Sequence, residues 1–187
     1  MQNVQGRVVI MRAIAVSGWA GAGKSTLAKA LAERFRFDYF SVGEWFRKKA
    51  EKTGMDIKEF MKVAPPEMHR EIDSYVKKIA RKGNVVIDGR LSGFMAGEHA
   101  FKIFLTAPVE VRARRISTRD GIAYEKALKI VRERDEQDVK NYLKIYGIDL
   151  RDLSIYNLVL DTQFFDIGEM VEVVSGVVAR ALELQQI

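Results

Sequence analysis

The sequence predicts one α/β domain built on a mostly parallel, five-stranded sheet flanked by helices. Two observations carry that expectation. Five short apolar runs, each closed by polar or turn-forming residues, are separated by segments with helical patterning, the alternation that βαβ units with right-handed crossovers require. The first of these runs ends in a glycine-rich turn that leads straight into an amphipathic helix.

The elements follow in order. Ala13–Ser17 is almost wholly apolar, as suits a strand buried on both faces. The helix after it carries Leu27, Leu31 and Phe35 at four-residue spacing, on one face. Phe37–Ser41 is a second strand. Residues 43–82 are helical in composition and broken at Pro65–Pro66. Asn84–Asp88, Lys102–Thr106 and Leu158–Asp161 are the remaining strands. Glu110–Arg119 and Tyr124–Lys144 read as helices about a turn at Asp120–Gly121. The last helix, Ile167–Leu184, places Ile167, Met170, Val171, Val174, Val178, Ala181 and Leu182 on one face. Parallel sheets bind ligands beyond the carboxyl ends of their strands, and Ser17–Gly18, Ser41, Asp88–Arg90 and Thr106 all fall at that rim.

Bulk properties narrow the function. The 187 residues suffice for one domain and are short for two. Hydrophobic residues at 48% and charged residues at 30% describe a globular chain, not a disordered one. Apolar stretches of about five to seven residues are too brief to cross a bilayer. The N-terminus lacks the apolar core of a signal peptide, and Met11 is an alternative start. With no cysteine, a reducing, cytoplasmic location is expected. A net charge of +6 and a pI near 9.5 suit either nucleic acid or a polyphosphate. Arg112, Arg114, Arg115, Arg119, Arg132 and Arg134 are interleaved with other residues, several of them acidic, and form no basic arm. Small polyphosphate substrates are therefore preferred, with part of this set serving only as solvated surface.

Gly18, Trp19, Ala20, Gly21, Ala22, Gly23, Lys24 and Ser25 fit G-x-x-x-x-G-K-[ST] at every fixed position, between a strand and a helix. Glycines let consecutive backbone N–H groups turn inward onto phosphate oxygens, and the helix N-terminus adds its positive end. Lys24 is expected to reach the β- and γ-phosphates of ATP and Ser25 to ligate magnesium. Thr26 adjoins this ATP site. Such a loop alone does not separate a GTPase, a motor, a transporter ATPase and a small-molecule kinase. The chain shows no N-K-x-D guanine signature, no transporter signature and no long apolar strand ending in Asp-Glu. Cations instead stand at separate strand ends, as a kinase needs when it holds two anionic substrates face to face.

The phosphate loop, Ser41-Val42-Gly43-Glu44-Trp45-Phe46-Arg47, Asp88-Gly89-Arg90, Ala107-Pro108-Val109-Glu110-Val111-Arg112-Ala113-Arg114-Arg115 and Tyr146-Gly147-Ile148-Asp149 occur in that order. Together they resemble the cytidylate kinases of the short archaeal type, from about Arg12 to the last helix. The resemblance implies a P-loop NTPase fold of the nucleoside-monophosphate kinase kind, with a core at 12–40, 76–114 and 142–187, a monophosphate-binding insertion at about 41–75 and a lid at about 115–140. It implies ATP and CMP or dCMP as substrates, with Mg2+. Ser41, Arg47 and Arg90 would bind the acceptor phosphate, Arg90 with the fork that suits it. Arg47 reads equally well as a surface arginine. Asp88 would help hold hydrated magnesium, with a capping or turn role as the competing reading. Arg115 would stack on the ATP base and Arg119 meet its phosphates. In the lid stretch R-D-x-x-D, Arg134 would serve the transferring phosphoryl group and Asp138 the acceptor ribose, against a surface ion pair as the competing reading. Lys24, Arg119 and Arg134 are thus the expected catalytic cations.

Two positions depart from the pattern. Asn141 stands where the lid stretch ends in arginine, leaving Lys140 or Lys144 as substitutes. Leu91 follows Asp88-Gly89-Arg90, where bacterial relatives carry an acidic residue that reads cytosine; Asp73 and Lys77 are alternative base contacts. Neither His69 nor His99 has a neighbour suited to general-base work. Gly121 and Gly147 are candidate hinges, and Trp19 is expected to pack under the lid. A monomer is expected, without nucleic acid or membrane. The rival readings are a kinase of the same fold acting on UMP or AMP, and an RNA- or ribosome-associated ATPase.

Overall fold

The computed structural model describes residues 11–183; the first ten residues and residues 184–187, among them Leu184 at the expected end of the last helix, lie outside them. The strands are β1 (Ala13–Gly18), β2 (Asp38–Ser41), β3 (Val85–Asp88), β4 (Ala100–Thr106) and β5 (Leu158–Asp161). All pairs are parallel, in the order β2–β3–β1–β4–β5. Every residue of the central β1 is buried. Its side chains alternate: Ala13 and Ala15 enter one core, Ile14 and Val16 the other, which is why the run is apolar up to Ser17.

The helices are α1 (Lys24–Phe35), α2 (Val42–Thr53), α3 (Ile57–Val63), α4 (Pro66–Lys82), α5 (Ser92–Met95), α6 (Val109–Asp120), α7 (Tyr124–Tyr146) and α8 (Ile167–Glu183). On one face of the sheet α1 and α8 pack Leu27, Leu31, Met170, Val174 and Val178 onto Ile14 and Val16. On the other, α4 brings Ile72, Val76 and Ala80 against Ala13, Ala15 and Ile87. A third cluster, Ala20, Ala113, Ile116, Ala127 and Val131, fastens the α6–α7 hairpin to the glycine loop.

Register assembles the rim. Asp88 pairs with Val16 on one side and with Ser41 on the other, while Gly18 pairs with Leu105. The chain crosses from β3 on one side of β1 to β4 on the other, so the loop after β1 opens at the point where crossover direction changes, the usual crevice of such sheets.

Several expectations need revision. Residues 43–82 break twice, since Gly54 (φ 70°) caps α2 before α3 begins; glycine in this left-handed position is a stop signal in its own right. Phe37 belongs to a helix cap, not to β2: Arg36 is left-handed (φ 54°), and the Phe37 N–H bonds the Ala32 carbonyl at 2.9 Å. Strand β4 starts two residues early because Ala13 pairs with Ala100. Ile167 is 62% exposed and leaves the buried face assigned to it. Among the described residues no helix is long and apolar enough to cross a membrane.

Candidate active site

The turn from β1 to α1 is shaped by glycines that no other residue replaces. Gly18 sits at φ 141°, and a Cβ there would lie 2.1 Å from the Leu105 carbonyl oxygen. Gly21 (φ 78°) presses on the backbone of Arg112, and Gly23 (φ 96°) is the left-handed N-cap of α1. No side chain caps this N-terminus and no acidic residue stands in its first turn. Its amides and dipole are left for an external anion.

Around that turn the structure gathers opposite charges in unequal number. Lys24 Nζ donates to the Trp19 carbonyl at 2.9 Å. Burial, and then the neighbouring Arg90, bring its pKa down to about 7; Arg134 acts in the same direction, against Asp88 and Asp138. Arg90 Nη1 donates to the Gly18 carbonyl at 3.3 Å, and its Nη2 lies 2.9 Å from Asp138 Oδ2. That contact is one of charge alone, for Asp138 Oδ2 has no aligned hydrogen-bond donor. Burial raises the Asp138 pKa in spite of Arg90 and Arg134. Burial and then Arg90 hold Arg134 below the usual guanidinium value, although the residue as a whole is exposed. Three cations thus face two carboxylates in a crevice, an arrangement that a bound anion relieves.

Asp88, 4% exposed at the end of β3, accepts from Ser25 Oγ at 2.6 Å and from the Tyr39 hydroxyl at 3.0 Å. Among the described residues no group of three His, Cys, Asp or Glu could cage a metal. The hydroxyl and the carboxylate are nonetheless the hard oxygens that magnesium takes when phosphates and water complete its shell.

Beside the loop lies a cavity of about 700 Å³, lined among others by Gly21, Gly23, Thr26, Arg115, Phe165 and Met170. Arg115 is fixed by two hydrogen bonds to Thr162, to Oγ1 and to the carbonyl, both 2.7 Å. Thr162 Oγ1 in turn lies 3.1 Å from the carbonyls of Ala22 and Thr106. This strand-end threonine, which locks Arg115 to the loop, escaped the sequence reading; its place just after β5 at the common rim was the available clue.

Comparison with known proteins decides the family. The family model described as "Cytidylate kinase" matches residues 14–64, and the one described as "Cytidylate kinase-like family" matches residues 67–163. Proteins named cytidylate kinase are 46% identical in Pyrococcus horikoshii (80% of this chain, 79% of the relative) and 38% identical in Methanopyrus kandleri (91% and 94%). The chain belongs to the cytidylate kinase family. It is accordingly a nucleoside-monophosphate kinase. Among solved structures it is similar to a shikimate kinase from Acinetobacter baumannii (TM-score 0.60, 15% identity, 91% of this chain and 94% of that one) and a gluconokinase from Sinorhizobium meliloti (0.59, 18%, 94% and 95%). At such identities these show the fold alone: a five-stranded P-loop kinase architecture.

The residues expected from the family pattern fall into three groups. Lys24, Ser25, Asp88, Arg90, Arg134 and Asp138 meet at the crevice described above. Arg115 and Thr26 line the adjoining cavity, while Arg119 stands at its edge, 67% exposed and bonded to its neighbour Asp120 at 2.7 Å. Ser41 and Arg47 form a corner at the start of α2. A Cβ on Gly43 would lie 3.7 Å from the Arg47 guanidinium and 3.8 Å from Ser41 Oγ, which already accepts from the Glu44 N–H. Arg47 itself is exposed.

The departures also acquire a place. Asn141 is exposed, as are Lys140 and Lys144, and neither lysine is among the charges that act on Lys24 or Asp138. Tyr142 adjoins the crevice instead; burial and then Asp138 push its hydroxyl up to about 12. Leu91 is 2% exposed in the core. His69 packs on Phe46 and lies 3.2 Å from the Tyr146 hydroxyl, its pKa lowered by burial. That hydroxyl also reaches Asp73 at 3.5 Å.

Proposed function

We propose that this protein transfers the γ-phosphoryl group of ATP to the 5′-phosphate of CMP or dCMP, giving ADP and CDP or dCDP. The carrying observation is that Lys24 and Arg90 donate to the Trp19 and Gly18 carbonyls of the phosphate loop, with Arg134 near enough for its charge to act on Lys24. A loop that binds one triphosphate needs Lys24 alone; two further guanidinium groups suit a second phosphate opposite the first. The names of the relatives supply the acceptor's identity.

An acceptor phosphate oxygen attacks the γ-phosphorus, the bond to the β,γ-bridging oxygen breaks, and ADP leaves with that electron pair. The nucleophile is already anionic, so no general base is required, and His69 lies in the core. Arg90 holds the acceptor phosphate with Ser41 and Arg47, Asp138 accepts from the ribose, and Arg134 and Lys24 neutralise the phosphoryl group in transfer. Arg115 faces the ATP base across the 700 Å³ cavity, with Arg119 at its rim. Ser25 and Asp88 would hold magnesium, which when bound neutralises phosphate charge. Residues 41–75 serve as the acceptor-binding insertion and residues 115–140 as a lid; together they exclude water, which would otherwise hydrolyse ATP. A monomer in the cytoplasm suits this chemistry.

Release of ADP, followed with CMP, dCMP, UMP, AMP or no acceptor, tests the reading. Turnover that depends on CMP or dCMP is expected. Preference for UMP or AMP would reassign the acceptor, and ATP hydrolysis indifferent to every monophosphate would remove the kinase reading.

A further inference from the structure

Arg112 lies in none of the roles above, yet its side chain is 7% accessible and three elements share it. Its Nε donates to the Ala107 carbonyl at 2.9 Å, fixing it to the turn before α6. Its Nη1 donates to the Ala20 carbonyl at 3.2 Å, inside the phosphate loop. Its Nη2 lies 2.7 Å from Asp135 Oδ2, on α7. The indole of Trp19 stands 6.0 Å from the guanidinium carbon, and the backbone of Arg112 touches Gly21. Two peptide carbonyls therefore hold the plane of the guanidinium, and its third edge is presented to the lid helix.

Asp135 directly follows Arg134. On a helix, adjacent side chains point about 100° apart, so seating Asp135 on Arg112 fixes the rotation of α7 and with it the direction in which Arg134 leaves the helix. We propose that Arg112 and Asp135 form a positioning pair that couples the phosphate loop to the lid and aims Arg134 at the transferring phosphoryl group. The pair rests on the kinase reading given above.

The form of the contact supports this role. A well-packed apolar pair often stabilises a fold as well as a buried ion pair does; what the ion pair adds is direction. Asp135 uses one oxygen only, for Oδ1 is buried without a hydrogen-bond partner. The charge contact is thus made through Oδ2 alone, and it sets the side of α7 that meets the phosphate loop.

A double-mutant cycle on the full-length enzyme tests the pair, with kcat and KM measured for both substrates. Asp135→Asn is expected to lower kcat by about tenfold to a hundredfold, the loss that follows from a misplaced catalytic group. KM for ATP and CMP should move by less than about threefold. In an Arg134→Ala background the same substitution should cost less than about twofold, because the group it aims is gone. Arg112→Lys, which keeps the charge and loses the fork, should repeat the pattern, and it replaces Asp135→Asn in the cycle should that variant not fold. Equal losses in both backgrounds would make the pair a scaffold contact, and an unchanged kcat in the wild-type background would dismiss it. Wild-type turnover with CMP tests the kinase reading separately, before any variant is compared.

Discussion

Ser25, in the first turn of α1, donates its hydroxyl to Asp88, at the end of β3, across 2.6 Å. The bond ties the phosphate loop to the neighbouring strand and brings together the two oxygens best suited to magnesium. Asp88→Asn keeps the shape and removes the charge. The magnesium concentration for half-maximal rate should rise about tenfold or more, measured by titrating the metal at saturating ATP and CMP.

Lys24 makes ATP binding pH-dependent. Its pKa is about 7 in the folded protein against 10.5 in the unfolded chain. Between those values the unfolded chain binds the extra proton, so the free protein gains stability as pH rises through that window and loses this contribution as pH falls through about 7. A triphosphate beside Lys24 favours the charged amine. At pH 8 ATP binding should therefore take up a proton, to a limit of about one per site. Calorimetry in buffers of different ionisation heat reads the number directly, and Lys24→Met should abolish it.

Arg115 is held by Thr162 and faces the cavity beside the loop. Arg115→Ala should raise KM for ATP about tenfold, the loss of a charged hydrogen-bonding group, and leave KM for CMP within about twofold. Initial-rate matrices in both substrates separate the two.

The glycines separate strain from crowding. Gly54 is left-handed with nothing within 4 Å of an added Cβ, so Gly54→Ala should cost only the conformational penalty of about 1–2 kcal/mol. Gly18→Ala drives a methyl into the Leu105 carbonyl and should cost about 3 kcal/mol or more. Urea unfolding of the two variants makes the comparison.

Much of this was legible in the chain. The phosphate loop is a local feature, and its eight residues carry both the turn and the chemistry. Strand β1 could be placed because, buried on both faces, it is apolar from Ala13 to Val16 and closes on Ser17 and a glycine. Asp138 and Arg134 could be named from a short pattern, but not their company: that Arg90 and Lys24 come to meet them follows from strand order. Arg112 shows the limit most clearly. In sequence it is one of six interleaved arginines, and only the packing of α6 under Gly21 distinguishes it from Arg114 beside it. Thr162 and the Gly54 break escaped notice because one acts through a partner 47 residues away, and the other required weighing a single glycine against a long helical composition.

The most direct measurement follows the phosphorus itself. With ATP, magnesium and CMP, ³¹P NMR of the reaction should show the γ-resonance of ATP replaced by the β-resonance of CDP, with no rise in inorganic phosphate. Accumulation of inorganic phosphate beside unchanged CMP would contradict phosphoryl transfer between two anions held face to face at Lys24, Arg90 and Arg134.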